Sequence, residues 1–491
     1  MTRTPIVALV LAAFLLFSAA SAQAKPGQLD PTFGHRGIVT TPIERWATAR
    51  AIAVQKDGKI VLAGWSAREP SFGPYTWAFA RYRPDGSLDR RFGLRGKVTL
   101  DLRGGYGAYG LALQRDGKIV AVGYAWTGNR WSFALVRLRR NGSRDASFGR
   151  NGVVVTDFPS SAFASSVAIR PDGKIVAAGS AGGEFALARY NPDGLLDTSF
   201  GSAGLVTMPF PSQAGVAALS LQPDGKIVVA GPSATYDGFA LARFLPDGRP
   251  DPGFGIDGRV VTQIGENSGA FALAVQRDGK IVAGGLARVS PSPFAHFALA
   301  RYDKEGKLDR GFGEGGAVRT RISRDDAISA LVIGPHGKII AAGYSWQNNY
   351  GFAVARYNPN GGLDRSFGRG RKRQTQFDGL GDLAYTVALQ RDGKILVAGM
   401  ADTRAHNRFE FALARYLGPR PICMVPRVKE KRLAQARRLI RRAHCSLGRI
   451  TRRFSRTVPK RSVISQQPRP GARSERGKVH LVVSKGKRKR R

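Results

Sequence analysis

The chain has 491 residues, 43% of them apolar and 61 of them glycine, with 77 Lys and Arg against 35 Asp and Glu, a formal net charge of +42. That length and apolar content exclude a single small module and imply more than one domain. The charge is uneven: residues 417–491 carry 25 Lys and Arg against 2 Glu, a net of +23, which leaves +19 for the 416 residues before them and marks a boundary near Leu417.

The first predicted element is N-terminal. An apolar run at residues 6–17 is followed by small residues up to Ala22 and Ala24, ahead of Lys25. This pattern predicts a secretory signal peptide at 1–24, cut after Ala24. No later stretch approaches the roughly 20 apolar residues a spanning helix needs, so the mature chain is expected outside the cell or at the cell wall, with no transmembrane anchor.

From Asp30 to Tyr416 one pattern recurs seven times. A DxxFG bend opens each copy, at Asp30, Asp89, Asp145, Asp197, Asp251, Asp309 and Asp364. A DGK turn follows at Asp57, Asp116, Asp172, Asp224, Asp278 and Asp392, with His336 replacing Asp in the sixth copy, at spacings of 52 to 59 residues. A segment like FALARY ends each copy, at Phe79, Phe133, Phe185, Phe239, Phe297, Phe352 and Phe411. In the third copy, strands are predicted at 152–156, 165–170, 174–179 and 185–190, bounded by Gly, Pro, Asp and Asn. Seven four-stranded units of about 56 residues predict an all-β, seven-bladed β-propeller.

The pattern LDxxFGxxG, QxDGKIVVAG, FALARYxxDG resembles the delta-60 repeat, a family expected to form propellers. The resemblance implies a fold at residues 25–416 and little about function. Because all four strand types occur seven times, the first strand, near 38–41, is expected to close the ring by completing a sheet begun by the last unit.

The repeated polar residues read as scaffold. The acidic bend residue is Asp193 in one copy but Asn141 or Asn360 in others, which suits a turn and not a metal loop. The Asp of DxxFG and the Arg of FALARY (Arg81, Arg137, Arg189, Arg243, Arg301, Arg356 and Arg415) occur in every copy, and are expected to form an ion pair between blades. The six histidines show no metal-ligand spacing, and no GxSxG, HExxH or Walker-type loop occurs. No cofactor, no metal and no enzymatic activity are expected.

Function is expected on the side of the disc opposite the DGK and NPDG turns, where the repeats differ. Between the AG of the third strand and the Phe of the fourth lie 14, 9 and 5 residues in the first three copies. The aromatic residues of these connections, Trp46, Trp65, Tyr75, Trp77, Tyr124, Trp126, Trp131, Tyr344, Trp346 and Tyr350, are the candidate ligand-binding face, suited to stacking on sugars or gripping peptides. Trp77 and Trp131 have an alternative reading as core between blades.

Past Leu417, a strand near PICMVPRV, a helix within 429–444 with an apolar stripe of Leu433, Ala436, Ile440 and Ala443, and strands near Ser462 and Lys478 predict a small α+β unit at 417–486, then a basic tail at 487–491. VPRV, VISQQPRPG and VHLVVSKG resemble a PASTA domain, which implies an extracellular place and contact with peptidoglycan. The chain departs from that family's pattern at Glu430-Lys431-Arg432, where Gly and a capping Ser or Thr are usual, and at Lys460-Arg461, where Gly is usual. Cys423 and Cys445, the two cysteines of an exported chain, are expected to form a disulfide.

The sequence thus points to a monomeric, exported binding protein. Its propeller face would take a glycan or peptide; its basic C-terminal unit would contact peptidoglycan, anionic wall polymer or lipid headgroups, with nucleic acid disfavoured by export. The alternative is a secreted propeller hydrolase or lyase for wall glycans, using loop acids such as Glu44, Glu69 and Glu184.

Overall fold

The computed structural model describes residues 25–69, 75–102, 105–210, 213–233, 235–368, 372–377, 379, 381–403, 408–418, 423–443, 445–474 and 478–487. The expected signal peptide at 1–24, residues 488–491 of the tail and the side chain of Cys423 lie outside the described residues.

Blade 1 is an antiparallel sheet of Trp46–Val54, Ile60–Ala67, Thr76–Tyr82 and Lys97–Leu100, in that order. Blades 2 to 6 repeat it within 108–156, 162–208, 218–262, 267–320 and 325–375. The first strands of neighbouring blades touch one another, so the first strand is innermost and surrounds the axis. Blade 7 combines Leu383–Leu389, Ile395–Thr403 and Arg408–Tyr416 with Ile38–Thr41, in which Ile38 pairs with Ala414 and Thr41 with Phe411. The ring is therefore closed by its first strand.

Sequence copy and blade are offset by one strand. Val153–Thr156, which opens the third copy, pairs with Trp131–Leu138 as the outer strand of blade 2. Each sheet thus draws on two copies, and neighbouring blades are tied by the chain itself.

The third strand of each blade has neighbours on both faces, which explains why FALARY is an unbroken apolar run and not an alternation. Val176, Ala178, Phe185 and Leu187 of blade 3 pack on Ile227, Val229, Ala240 and Ala242 of blade 4, all without solvent exposure. Tyrosines at the end of that strand reach across the seam. The Tyr190 hydroxyl donates to Thr156 at 2.9 Å, and Tyr82 donates to Thr41 at 2.8 Å.

The repeated charges form one joint seven times over. Arg189 Nε donates to Asp197 Oδ2 at 2.6 Å, Lys174 Nζ reaches the same oxygen at 2.7 Å, and the guanidinium carbon lies 4.5 Å from the Phe200 ring centroid. Arg81 with Asp89, Arg137 with Asp145, Arg243 with Asp251, Arg301 with Asp309, Arg356 with Asp364 and Arg415 with Asp30 repeat the pair at 2.7 to 3.0 Å. The pair lies within one copy's strand and the bend that follows it, not between blades as expected. The link between blades is a separate bond, from Arg189 Nη1 to the Pro246 carbonyl in the bend of the next blade.

The C-terminal unit has the helix Leu433–Arg442 packed by Ala436 and Ile440 against Val463, Val479 and Leu481. Its sheet contains a strand absent from the sequence reading: Ser446–Arg453 runs parallel to Lys478–Ser484, which pairs on its other side with Val463–Gln467. A register shift between Leu447 and Ile450 breaks the alternation that would have revealed it in this Arg-rich segment.

Candidate functional site

The inner strands share one irregularity, and it builds a site. In blade 1, Ala49 pairs with Gly64 and Ala51 with Ala63, so Arg50 is left out of the ladder as a bulge. The same shift leaves out Tyr109, Ser165, Phe271, Ser329 and Tyr385 in blades 2, 3, 5, 6 and 7. The facing glycine explains it. A Cβ at Gly64 would lie 1.9 Å from the Thr48 carbonyl oxygen, and one at Gly179 would lie 1.8 Å from that of Phe163. Only Gly lets the bulged strand come this close, which is why AG recurs in the third strand of the sequence pattern.

The bulge turns one residue of each of these six blades toward the axis, and in blade 4 Ala217, just ahead of the strand Ala218–Leu221, takes the equivalent place. Arg50, Tyr109, Ser165, Ala217, Phe271, Ser329 and Tyr385, one from each of the seven blades, line an axial pocket of about 320 Å³, joined by Tyr344. Each stands seven residues before the Asp or His of its DGK-type turn. Arg50 is the one charged residue of the lining. Its guanidinium carbon lies 3.8 Å from the Tyr385 ring centroid and 5.5 Å from that of Tyr109, and its buried Nε has no hydrogen-bond partner among the described residues.

From the pocket, rings lead outward. Tyr109 and Tyr124 stack at 5.4 Å with their hydroxyls 3.2 Å apart. Tyr106 stacks on Tyr124 at 5.6 Å and on Tyr75 at 4.5 Å, and Trp65 meets Tyr75 edge-on at 5.1 Å. A branch runs through Trp131, 5.1 Å from both Tyr106 and Trp126, with Phe163 of blade 3 closing on Tyr124 at 4.9 Å. Tyr106 and Trp126 are the open ends, 38% and 43% exposed. Burial, with Tyr109 close by, pushes the Tyr124 phenol far above its ordinary range, and burial with Asp325 nearby pushes Tyr344 to about 12, so both stay neutral hydroxyls at physiological pH.

Of the expected face, Trp65, Tyr75, Tyr124, Trp126 and Trp131 join this ladder, and Tyr344 lines the pocket. Trp346 and Tyr350 stand apart on blade 6: Trp346 is 6.3 Å from Phe294 with Arg324 above it, and Tyr350 is edge-on to Tyr344 at 5.7 Å. Trp46 packs edge-on to Phe409 at 4.7 Å, at the seam of blades 1 and 7. Trp77 is not part of a face. It is wholly buried between blades 1 and 2, where Gly105 and Gly123 leave room for the indole that side chains would occupy. The aromatic ladder itself lies on blades 1 to 3. The sequence reading missed Arg50, Tyr106, Tyr109, Phe163, Phe271 and Tyr385, although the fixed offset from the DGK turn would have found four of the six.

Glu44 pairs with Arg68 at 3.6 Å and accepts from Thr76 at 3.3 Å, a local rim arrangement. His296 Nδ1 lies 3.3 Å from Asp326 Oδ2, which also takes the Ile322 amide at 2.8 Å and so serves as the cap of a turn. Among the described residues no group of three or more His, Cys, Asp or Glu could hold a metal ion, and no helix is long and apolar enough to cross a membrane.

The family model described as "Domain of unknown function (DUF5122) beta-propeller" matches residues 55–92, 114–148, 170–200, 222–254, 276–312 and 335–367, and the PASTA domain model matches 424–485. Each propeller match runs from the DGK turn to the next DxxFG bend. The seventh copy of that unit is split by ring closure, ending at Tyr416 and resuming at Leu29. No curated protein matches the chain. Among solved structures, Sqt1 of Chaetomium thermophilum is 12% identical, with 78% of this chain and 97% of that one covered and a TM-score of 0.45. Polysaccharide lyase Uly1 is 10% identical over 75% and 90%, TM-score 0.43, and an α-L-arabinanase of Penicillium chrysogenum, complexed with arabinobiose, is 12% identical over 62% and 92%, TM-score 0.39. The lyase and the arabinanase correct the expectation that the chain is no enzyme: enzymatic activity stays open, although no substrate carries over at such identities. A propeller joined to a PASTA domain points to cell-wall-related binding. The chain is a repeat β-propeller of the DUF5122 type with a C-terminal PASTA domain.

Proposed function

We propose that the protein is exported and binds glycan of the cell wall, with the propeller at 25–416 holding sugar rings on its aromatic ladder and the PASTA unit at 417–486 contacting peptidoglycan or anionic wall polymer. The observation that carries the reading is the ladder itself: eight rings from Trp65 to Phe163, stacked, tilted or edge-on at 4.5 to 6.3 Å, reach from a partly exposed rim to a polar axial pocket. Flat rings with hydroxyl neighbours suit the apolar face and polar edge of a sugar.

The C-terminal unit contributes charge. Arg437, Arg438, Arg441 and Arg442 stand on its helix and Arg449, Arg452 and Arg453 on the following strand. Such a surface attracts polyanions by a screened interaction that falls with salt. Cys445 is buried beside the helix, and a Cys423–Cys445 bridge would close a loop of about 22 residues, contributing about 3 kcal/mol to a unit with a small core.

Retention of the mature chain on isolated cell walls, at low and high salt and with product analysis, tests this reading. Binding that survives high salt and disappears in Tyr106→Ala/Trp126→Ala is expected. Retention that salt abolishes completely would leave the propeller without the proposed role.

A further inference from the structure

The axial pocket has a polarity that the ladder lacks, and it selects among glycans. Its lining contains one cation, Arg50, and no carboxylate. The guanidinium carbon lies over the rings of Tyr385 and Tyr109, at 3.8 and 5.5 Å from their centroids, and the buried Nε is unpartnered among the described residues, which leaves it free to donate. A planar donor fork held this way matches a carboxylate, which takes two parallel N–H bonds. Phosphate is a poorer match, because a dianion facing one guanidinium and a wall of rings would keep an unbalanced charge.

The remaining lining fits a sugar. Ser165, Ser329, Tyr109, Tyr344 and Tyr385 supply hydroxyls, and Phe271 supplies an apolar surface. At about 320 Å³ the pocket is at the small end of the ~300–1,000 Å³ range of small-molecule sites, enough for a terminal ring and not for a chain passing through. The stacking of Tyr109 on Tyr124 gives the rest of a chain a continuous way out to Tyr106 and Trp126.

We propose that the axial pocket binds the carboxylated terminal ring of an acidic glycan, with Arg50 holding the carboxylate and the following rings lying on the Tyr124–Tyr106–Trp126 ladder. This rests on the glycan-binding reading of the ladder and adds to it a charge and a chain end. The bulge is the device that makes it work: it releases Arg50 from the ladder of the inner strand toward the axis, and among the equivalent positions of the seven blades only blade 1 places a cation.

Calorimetric titration of the mature full-length chain with trigalacturonic acid and with its fully methyl-esterified form, at about 0.5 M salt to screen the C-terminal unit, tests the proposal. The acid is expected to bind at least about tenfold more tightly than the ester, and Arg50→Gln to remove that difference. Ser329→Asp, which adds a carboxylate to the lining without touching Arg50, is expected to weaken the acid by a similar factor, and serves if Arg50→Gln lowers the melting temperature. Ester binding equal to acid binding, or acid binding insensitive to both substitutions, overturns the pocket assignment and leaves the ladder standing. Failure of both sugars to bind overturns the pocket assignment, and retention of the chain on isolated cell walls under the same salt then decides the ladder reading separately. Tight binding of a short peptide with a free C-terminal carboxylate, acetyl-Ala-Ala, that depends on Arg50 while the sugars do not bind would replace the sugar by a peptide end.

Discussion

The guanidinium of Arg50 lies 3.8 Å from the ring centroid of Tyr385, across the seam at which the first and last blades meet. Both residues are bulges of inner strands, and both owe their place to a glycine on the neighbouring strand, Gly64 and Gly399. The lining of the axial pocket is therefore set by the scaffold's own repeat, with the side chain at one offset left free to vary.

That dependence is testable at Gly179. Its Cβ would lie 1.8 Å from the Phe163 carbonyl oxygen, a clash with backbone that no rotamer relieves. Gly179→Ala is expected to cost about 3 kcal/mol or more, read by denaturant unfolding. A loss below about 0.5 kcal/mol would mean that the bulge does not require glycine.

Aromatic residues that look alike in sequence should separate by experiment. Trp77→Ala removes a wholly buried ring and is expected to cost about 3–5 kcal/mol. Trp126→Ala, at a position 43% exposed, should leave the melting temperature nearly unchanged while weakening glycan binding about tenfold. Equal thermal effects would contradict the placement of the two rings.

The ring joints give stability a pH dependence. Burial alone would raise the Asp197 carboxyl, but hydrogen bonds from Lys174, Ser199 and Arg189 and the charge of Arg189 hold it well below the usual carboxylate range. The net direction is the same at Asp30, Asp89, Asp145, Asp251, Asp309 and Asp364. A depressed folded-state value gives stability that is fully present above the unfolded value, about 3.9, and lost as pH falls through the folded one. The melting temperature should therefore hold from about pH 7 to 5 and drop steeply below about pH 4. Asp197→Asn should weaken that acid dependence, and an unchanged acid profile would argue against the joint.

The PASTA unit should be open to stabilisation where it departs from its family's pattern. Glu430 and Arg461 adopt φ of 67° and 66°, and Arg432 begins the helix with no side-chain cap. Glu430→Gly and Arg461→Gly should each add up to about 1 kcal/mol, and Arg432→Ser about 1 kcal/mol, seen as slower amide exchange at Ala436 to Ile440 in the full chain. Faster exchange in all three variants would refute the strain assigned to these positions.

The blades were legible because seven copies report one another's meaning: Asn141 in place of Asp193 exposes a turn, and a DxxFG bend at Asp30 without a FALARY before it exposes the ring closure. The offset between copy and blade follows from that same closure. Arg50, Tyr109 and Tyr385 were harder to see, because a bulge displaces one residue from the two-residue period by which faces are read. Trp77 and Trp131 occupy the same strand position, and a difference between them lies in the neighbouring blade, where Gly105 faces the Trp77 indole and Ser161 stands at the equivalent place beside Trp131. Nothing in a single strand's pattern carries that information.

The central claim is that the aromatic ladder binds glycan. A glycan array probed with the mature chain at about 0.5 M salt, beside its Tyr106→Ala/Trp126→Ala variant, addresses it most directly. The parent chain is expected to hold at least one glycan class that the variant loses with no change in melting temperature; no retained glycan, or equal retention by both proteins, would exclude glycan binding by the ladder.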